Sequence, residues 1–180
     1  GDVTVHASLQ PGASEASVTI HLSEKPTVGL LLVEVFYDPP SSDDGLEWVK
    51  LYNGTATTIS LEAYSLGWGG ADYTTGKVNL SGTIAPGGCF LVGGPFTTEA
   101  NGSPTFDQSF NFNPDIQNSG STADGVALFA EVSADVTPTT VPMDAVLYGE
   151  TNKNGLLDAS GAPGTVQVGK APSGNSMVRT

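Results

Sequence analysis

Carboxylates crowd one stretch of this chain. Glu34, Asp38, Asp43, Asp44 and Glu47 all fall within residues 30–53, in or beside a short proline-bearing segment. Asp38, Asp43, Asp44 and Glu47 offer hard oxygen ligands, the kind that Ca²⁺ collects six to eight at a time. Crowded acids repel one another, and a cation relieves that repulsion. The plainer reading is a solvated acidic loop. Glu34 and Glu47 also suggest an acid–base pair, in which one of two neighbouring carboxyls titrates high. Hydrogen bonding of each acid at a sheet end is the reading the sequence favours.

A second loop carries oxygen ligands at spaced positions: Glu150, Asn152, Asn154 and Asp158, with Gly155 in sixth place. That spacing echoes an EF-hand loop. Gly161 stands where the bidentate acid would be, so the set is weak and an Asn-Gly turn is the favoured reading. Aromatic residues supply another kind of site. Trp48 fits a core, whereas Trp68, beside Gly69-Gly70, and Tyr73 are the candidates for an exposed face that stacks on sugars or anchors a protein.

Other reactive residues are few. His6 and His21 fall on the polar phase of two strand-like runs and read as exposed residues of an outer sheet face, within reach of each other across a hairpin. Cys89 lies in an apolar run and reads as a small buried hydrophobe. As the one cysteine, it excludes an internal disulfide. No G-x-S-x-G elbow, H-E-x-x-H, P-loop or dinucleotide fingerprint occurs. No signal peptide, lipidation motif or membrane-spanning run is written in these residues. Asn53, Asn79 and Asn101 sit in N-x-Ser/Thr sequons, which would be surface glycan sites in a eukaryotic export route.

The elements that must hold these residues are strands. Residues 30–37 and 48–53 show period-2 patterning: Leu32-Glu34-Phe36 against Leu31-Val33-Val35-Tyr37, then Trp48-Lys50-Tyr52 against Val49-Leu51. Residues 2–23 read as a hairpin turning at 11–15, with a connector at 24–29. Further short strands are expected over 57–61, 64–68, 77–80, 83–84, 89–92, 126–132, 143–148, 165–168 and 176–178. Turn signals separate them every 8–12 residues, which points to an all-β sandwich or barrel. Residues 95–122 lack periodicity. Their phenylalanines, Phe96, Phe106, Phe110 and Phe112, suggest a loop packed down on the domain, and a loop of that length is commonly functional or disordered.

Composition narrows the roles. The 180 residues suffice for one ordinary domain, and Gly (23) and Pro (12) favour turns and strands over helices. Nineteen acids against six bases give a net charge of −13. That surface repels phosphate backbones and anionic membranes, so nucleic acid is excluded as a partner by charge. It suits cations or solubility in a salty medium.

Several motifs in order resemble the lamin tail domain in its secreted bacterial form. They are Val33-Glu34-Val35-Phe36-Tyr37-Asp38-Pro39, Glu47-Trp48-Val49-Lys50-Leu51-Tyr52-Asn53, Leu61-Glu62-Ala63-Tyr64-Ser65-Leu66 and Ile84-Ala85-Pro86-Gly87-Gly88-Cys89-Phe90-Leu91-Val92. Asp124-Gly125-Val126-Ala127-Leu128, Met143–Gly149 and Gly174–Arg179 continue the series. Lys50 replaces an acid usual in the family, and Glu62-Ala63-Tyr64 replaces Ser-Gly-Trp. The resemblance covers residues 30–180 and implies an immunoglobulin-like β-sandwich, with 1–29 as an additional N-terminal hairpin and connector. It also implies an exported bacterial module, secreted or at the cell surface or periplasm. The expected function is non-catalytic binding or adhesion by a monomer, to a protein or carbohydrate partner on the cell surface. No cofactor is expected beyond Ca²⁺ at the two acidic loops. The alternatives are an accessory domain of a secreted metal-dependent hydrolase or nuclease, and a structural spacer of the cell envelope.

Overall fold

The structure is a computed structural model that describes residues 2–7, 16–21, 29–40, 42–118 and 120–180. Among these residues, thirteen strands follow in order. They are β1 (Asp2–Ala7), β2 (Ala16–His21), β3 (Leu30–Phe36), β4 (Trp48–Asn53), β5 (Ile59–Ser60), β6 (Ser65–Gly69) and β7 (Gly76–Asn79). After them come β8 (Thr83–Ile84), β9 (Cys89–Gly93), β10 (Gln108–Ser109), β11 (Ala123–Phe129), β12 (Asp144–Gly149) and β13 (Met177–Val178). The fold is all-β, as the patterning predicts. A five-stranded sheet, ordered β10-β9-β4-β3-β13, faces a four-stranded sheet, ordered β12-β11-β6-β7. One continuous core joins them: Leu32, Val35, Val49, Leu51, Phe90 and Val92 from the first sheet meet Leu66, Trp68, Val78, Val126, Leu128 and Tyr148 from the second. This is a sandwich, in which the inward phase of each strand is apolar.

In β3 strict alternation fails, and informatively. The β3–β4 register shifts between Leu32 and Glu34, so Val33 is a bulge residue. Leu30 and Leu32 face the core before it, and Val35 and Tyr37 after it. Glu34 is thereby placed opposite Lys50, with which it forms an ion pair.

β11 is buried at all seven positions. Its inward residues, Val126 and Leu128, join the main core. Its outward ones, Ala123, Ala127 and Phe129, join a second cluster with Tyr73, Val136, Ala145, Leu147 and Leu156. Connecting segments therefore cover the outer face of this sheet, which is why β11 reads as a continuous apolar run rather than an alternating one. Residues 165–168 form no strand, contributing a single bridge from Val168 to Tyr148.

β1 and β2 pair antiparallel, as expected for the hairpin. The register sets His6 opposite Ser17 and His21 opposite Asp2, so the histidines are not ladder partners. The turn expected at 11–15, and the connector as far as residue 28, lie outside the described residues.

Candidate acidic cleft

In both sheets the same end collects the polar loops. β3 runs out into residues 38–47 and β4 starts from them. β6 ends at Gly69, which pairs with Gly125 near the start of β11, and β12 ends beside them. Residues 113–118 and 150–154 reach this end as well. Between them lies an open cleft of about 610 Å³, lined among others by Asp43, Asp115, Gln117, Asn118, Asp124 and Asn154. Gly70 makes room for the acid at its floor: a Cβ there would lie 2.4 Å from Asp124 Oδ1. Asn154 Nδ2 donates to the Gly70 carbonyl at 2.8 Å, tying the 150–154 loop to the same point.

Residues 38–47 are distributed rather than convergent. Glu47 is 1% exposed and accepts the Ile116 N–H on both carboxyl oxygens, each at 3.0 Å. Burial, and then Asp115 and Asp43, push its carboxyl up to about 9 against the opposing Ile116 hydrogen bond. Asp43 is half-buried on the cleft, and burial with Asp115 and Asp38 raises it above the usual carboxylate range. Asp44 is exposed and accepts from Asn111 Nδ2 at 2.7 Å, while Asn111 Oδ1 accepts the Gly45 N–H. The Asp38 carbonyl takes the Gly174 N–H, fixing the start of the loop. Among the described residues, no three His, Cys, Asp or Glu side chains stand close enough together to hold a metal ion.

The second loop is occupied by its own turn. Asn152 Nδ2 donates to the Leu156 and Gly164 carbonyls while Oδ1 accepts the Leu156 N–H. Asp158 Oδ1 accepts from the N–H and hydroxyl of Ser160, which lower its carboxyl. Glu150 is exposed. Gly155 has a φ of +76, the left-handed conformation the Asn-Gly turn requires. The Glu34–Glu47 pair does not form, since Glu34 is held by Lys50 and by Ser176 Oγ on another part of β3.

The aromatic face expected at Trp68 and Tyr73 is corrected. Trp68 is 0% exposed and Tyr73 4%. Trp68 points inward on β6, packs edge-on to Phe110 and Phe112, and donates Nε1–H to the Pro114 carbonyl at 2.8 Å. Tyr73 packs on Phe129 and donates its hydroxyl to the Leu157 carbonyl. The glycines beside Trp68 are there for close packing: a Cβ at Gly76 would lie 2.1 Å from Trp68 Cζ2. Cys89 is exposed rather than buried, because Phe90 and Val92 take the inward phase of β9. Phe110 and Phe112 pack down the 95–122 segment as expected, whereas Phe96 remains exposed.

Scans against family models, curated proteins and solved structures returned no match for this chain. The cleft therefore stands on its own chemistry. Carboxylates of Asp43, Asp115 and Asp124 accept hydrogen bonds or ligate, and the amides of Gln117, Asn118 and Asn154 both accept and donate. Sequence reading alone missed Asp115, Gln117, Asn118 and Asp124. The available signal was an acid, Asp124, on the inward phase of an otherwise apolar strand.

Proposed function

We propose that this chain is a non-catalytic extracytoplasmic binding module, an immunoglobulin-like sandwich of the lamin-tail type, that takes its ligand in the acid-and-amide cleft. The observation that supports this reading is the meeting of three carboxylates and three carboxamides in one open cleft of about 610 Å³. Concave sites with a few convergent polar groups are the usual form of a ligand site. Acceptors in excess of donors suit a cation or a ligand rich in hydroxyl groups. A net charge of −13 points the same way and disfavours phosphate polymers. Ca²⁺ and a surface carbohydrate are the two ligands this chemistry favours, and the secreted-type resemblance supports an extracytoplasmic setting.

Titration calorimetry with Ca²⁺ and a glycan array test the reading together. Binding by the native chain is expected for one of them, with loss in Asn118→Ala and in the double variant Asp43→Asn/Asp115→Asn. A ligand that prefers the native state also raises the melting temperature. Silence of the native chain in both experiments, at millimolar Ca²⁺ and across the array, would sink it.

A further inference from the structure

Three asparagines of this chain are followed by glycine: Asn53, Asn101 and Asn154. In such a pair the glycine nitrogen can close a ring on the side-chain amide carbon, because the residue that carries it has no Cβ to obstruct the approach. Closure needs an N–H free of any acceptor and a carboxamide free to turn onto it. The fold removes both freedoms at two of the pairs. Asn53 is buried, its amide donates to the Thr57, Ile84 and Ala85 carbonyls, and the Gly54 N–H donates to the Gly29 carbonyl at 3.1 Å. Asn101 is buried as well, its amide donates to the Leu46 and Phe96 carbonyls, and the Gly102 N–H donates to the Glu99 carbonyl at 3.2 Å. Asn154 differs on each count. It is exposed, and its amide makes a single bond, to the Gly70 carbonyl at 2.8 Å. Among the described residues, no acceptor meets the Gly155 N–H.

We propose that Asn154 is a self-modification site, at which the chain itself converts a carboxamide of the cleft into a carboxylate with time. The Gly155 nitrogen attacks Asn154 Cγ and passes its proton to water. A bond forms between that nitrogen and Cγ, the Cγ–Nδ2 bond breaks, and Nδ2 leaves as ammonia. Water then opens the resulting succinimide. Addition at Cγ gives aspartate, and addition at the Asn154 backbone carbonyl gives isoaspartate. No oxidant or reductant enters. Either product removes the donor that ties the 150–154 loop to Gly70 and sets a negative charge against the Gly70 carbonyl oxygen. Asp124 stands at the same point, since a Cβ on Gly70 would lie 2.4 Å from its Oδ1. The new carboxylate is therefore repelled by a like charge already in place. The cleft gains an acid, loses a donor and releases the 150–154 loop from its floor. The reading of the cleft as the binding site enters only in this consequence, through the place of Asn154 in its lining.

The test is ageing of the ligand-free full chain at mildly alkaline pH, read by peptide mass spectrometry and by enzymatic methylation of isoaspartate. Asn154 is expected to lose its amide about tenfold faster than Asn53 and Asn101 or more, since each hydrogen bond that must open first slows closure roughly fivefold. In guanidinium chloride, with the fold removed, the three pairs should react at similar rates. Hydrogen exchange at residues 70–72 and 150–155 should quicken in the aged chain and in Asn154→Asp, which imitates one product. Equal rates at the three pairs in the folded chain would overturn the site. So would an intact Asn154 after the same time in which the denatured chain has reacted. Native exchange at both segments in the aged chain would overturn release of the loop, and this arm decides alone if Asn154→Asp does not fold. Absence of Ca²⁺ and glycan binding would remove the ligand reading and leave the mass spectra untouched, so the two failures are distinguishable.

Discussion

Arg179 and Asp144 close the seam between the two sheets. The guanidinium donates to Asp144 Oδ1 at 2.8 Å, and Asp144 Oδ2 accepts the Leu32 N–H of the opposite sheet at 2.8 Å. The Arg179 backbone N–H meanwhile donates to the Val33 carbonyl at 2.8 Å. One carboxylate thus ties β12 to β3 where the Val33 bulge interrupts the ladder.

The two partners should differ in worth. Asp144→Ala leaves the buried Leu32 N–H without an acceptor and is expected to cost about 3 kcal/mol. Arg179→Ala removes a side chain that is 39% exposed, and Asp144 keeps its two backbone donors. Its cost should stay below about 1 kcal/mol. Urea denaturation of the two variants checks the ordering, and equal losses would contradict it.

Trp68 belongs to the core, so its removal should act on folding before it acts on binding. Trp68→Ala leaves a large cavity, and about 3–5 kcal/mol is the expected loss. Gly76→Ala should also destabilise, by about 1–3 kcal/mol, because the new methyl group overlaps the indole. Thermal melts test both. A Trp68→Ala protein with native stability and a selective loss of sugar binding would restore the exposed-aromatic reading.

The strands were legible where packing acts locally. Val49 and Leu51 of β4, and Phe90 and Val92 of β9, alternate with the less buried Lys50, Tyr52 and Leu91 because one face of each strand meets the core. The bulge at Val33 was not legible, since nothing in Leu32-Val33-Glu34 marks a change of phase. Trp68 misled because adjacent glycines suggest a turn, whereas Gly67 and Gly76 make room for close packing around β6. The cleft was half legible. Asp43 and Glu47 stood out in one acidic stretch, but Asp115 and Asp124 reach them through tertiary contacts across more than 60 residues of chain, which no local pattern encodes.

The three sequons are not equivalent in the fold. Asn53 is fully buried, its amide donating to the Thr57, Ile84 and Ala85 carbonyls and its Oδ1 accepting from Thr55. Asn101 is 1% exposed and bonds the Leu46 and Phe96 carbonyls. Asn79 alone of the three is exposed. Secretion from a eukaryotic host should therefore yield folded protein glycosylated at Asn79 and bare at Asn53 and Asn101. Mass spectrometry of glycosidase-treated peptides reads the outcome, and a glycan on Asn53 in folded material would refute it.

Glu47 should also invert the usual dependence of stability on pH. Its ordinary carboxyl value is 4.5, and in the fold it is pushed up to about 9. Between these values the folded chain holds a proton that the unfolded chain has released. Stability therefore falls as pH rises, by up to about 1.4 kcal/mol per pH unit for this group, and the loss ends once pH passes the folded value. Asp43 and Asp115, both raised chiefly by burial, add contributions of the same sign just above the ordinary carboxylate range. Below the ordinary value both states are protonated and the group contributes no slope. Glu47→Gln removes the largest of these terms while keeping an acceptor for Ile116. Its unfolding free energy should change little from pH 5 to 9, while the native chain weakens on the order of a few kcal/mol across the same range. Urea midpoints of both proteins at each pH decide the matter: parallel curves would show that Glu47 is already ionised in the fold and that its charge is tolerated where it lies.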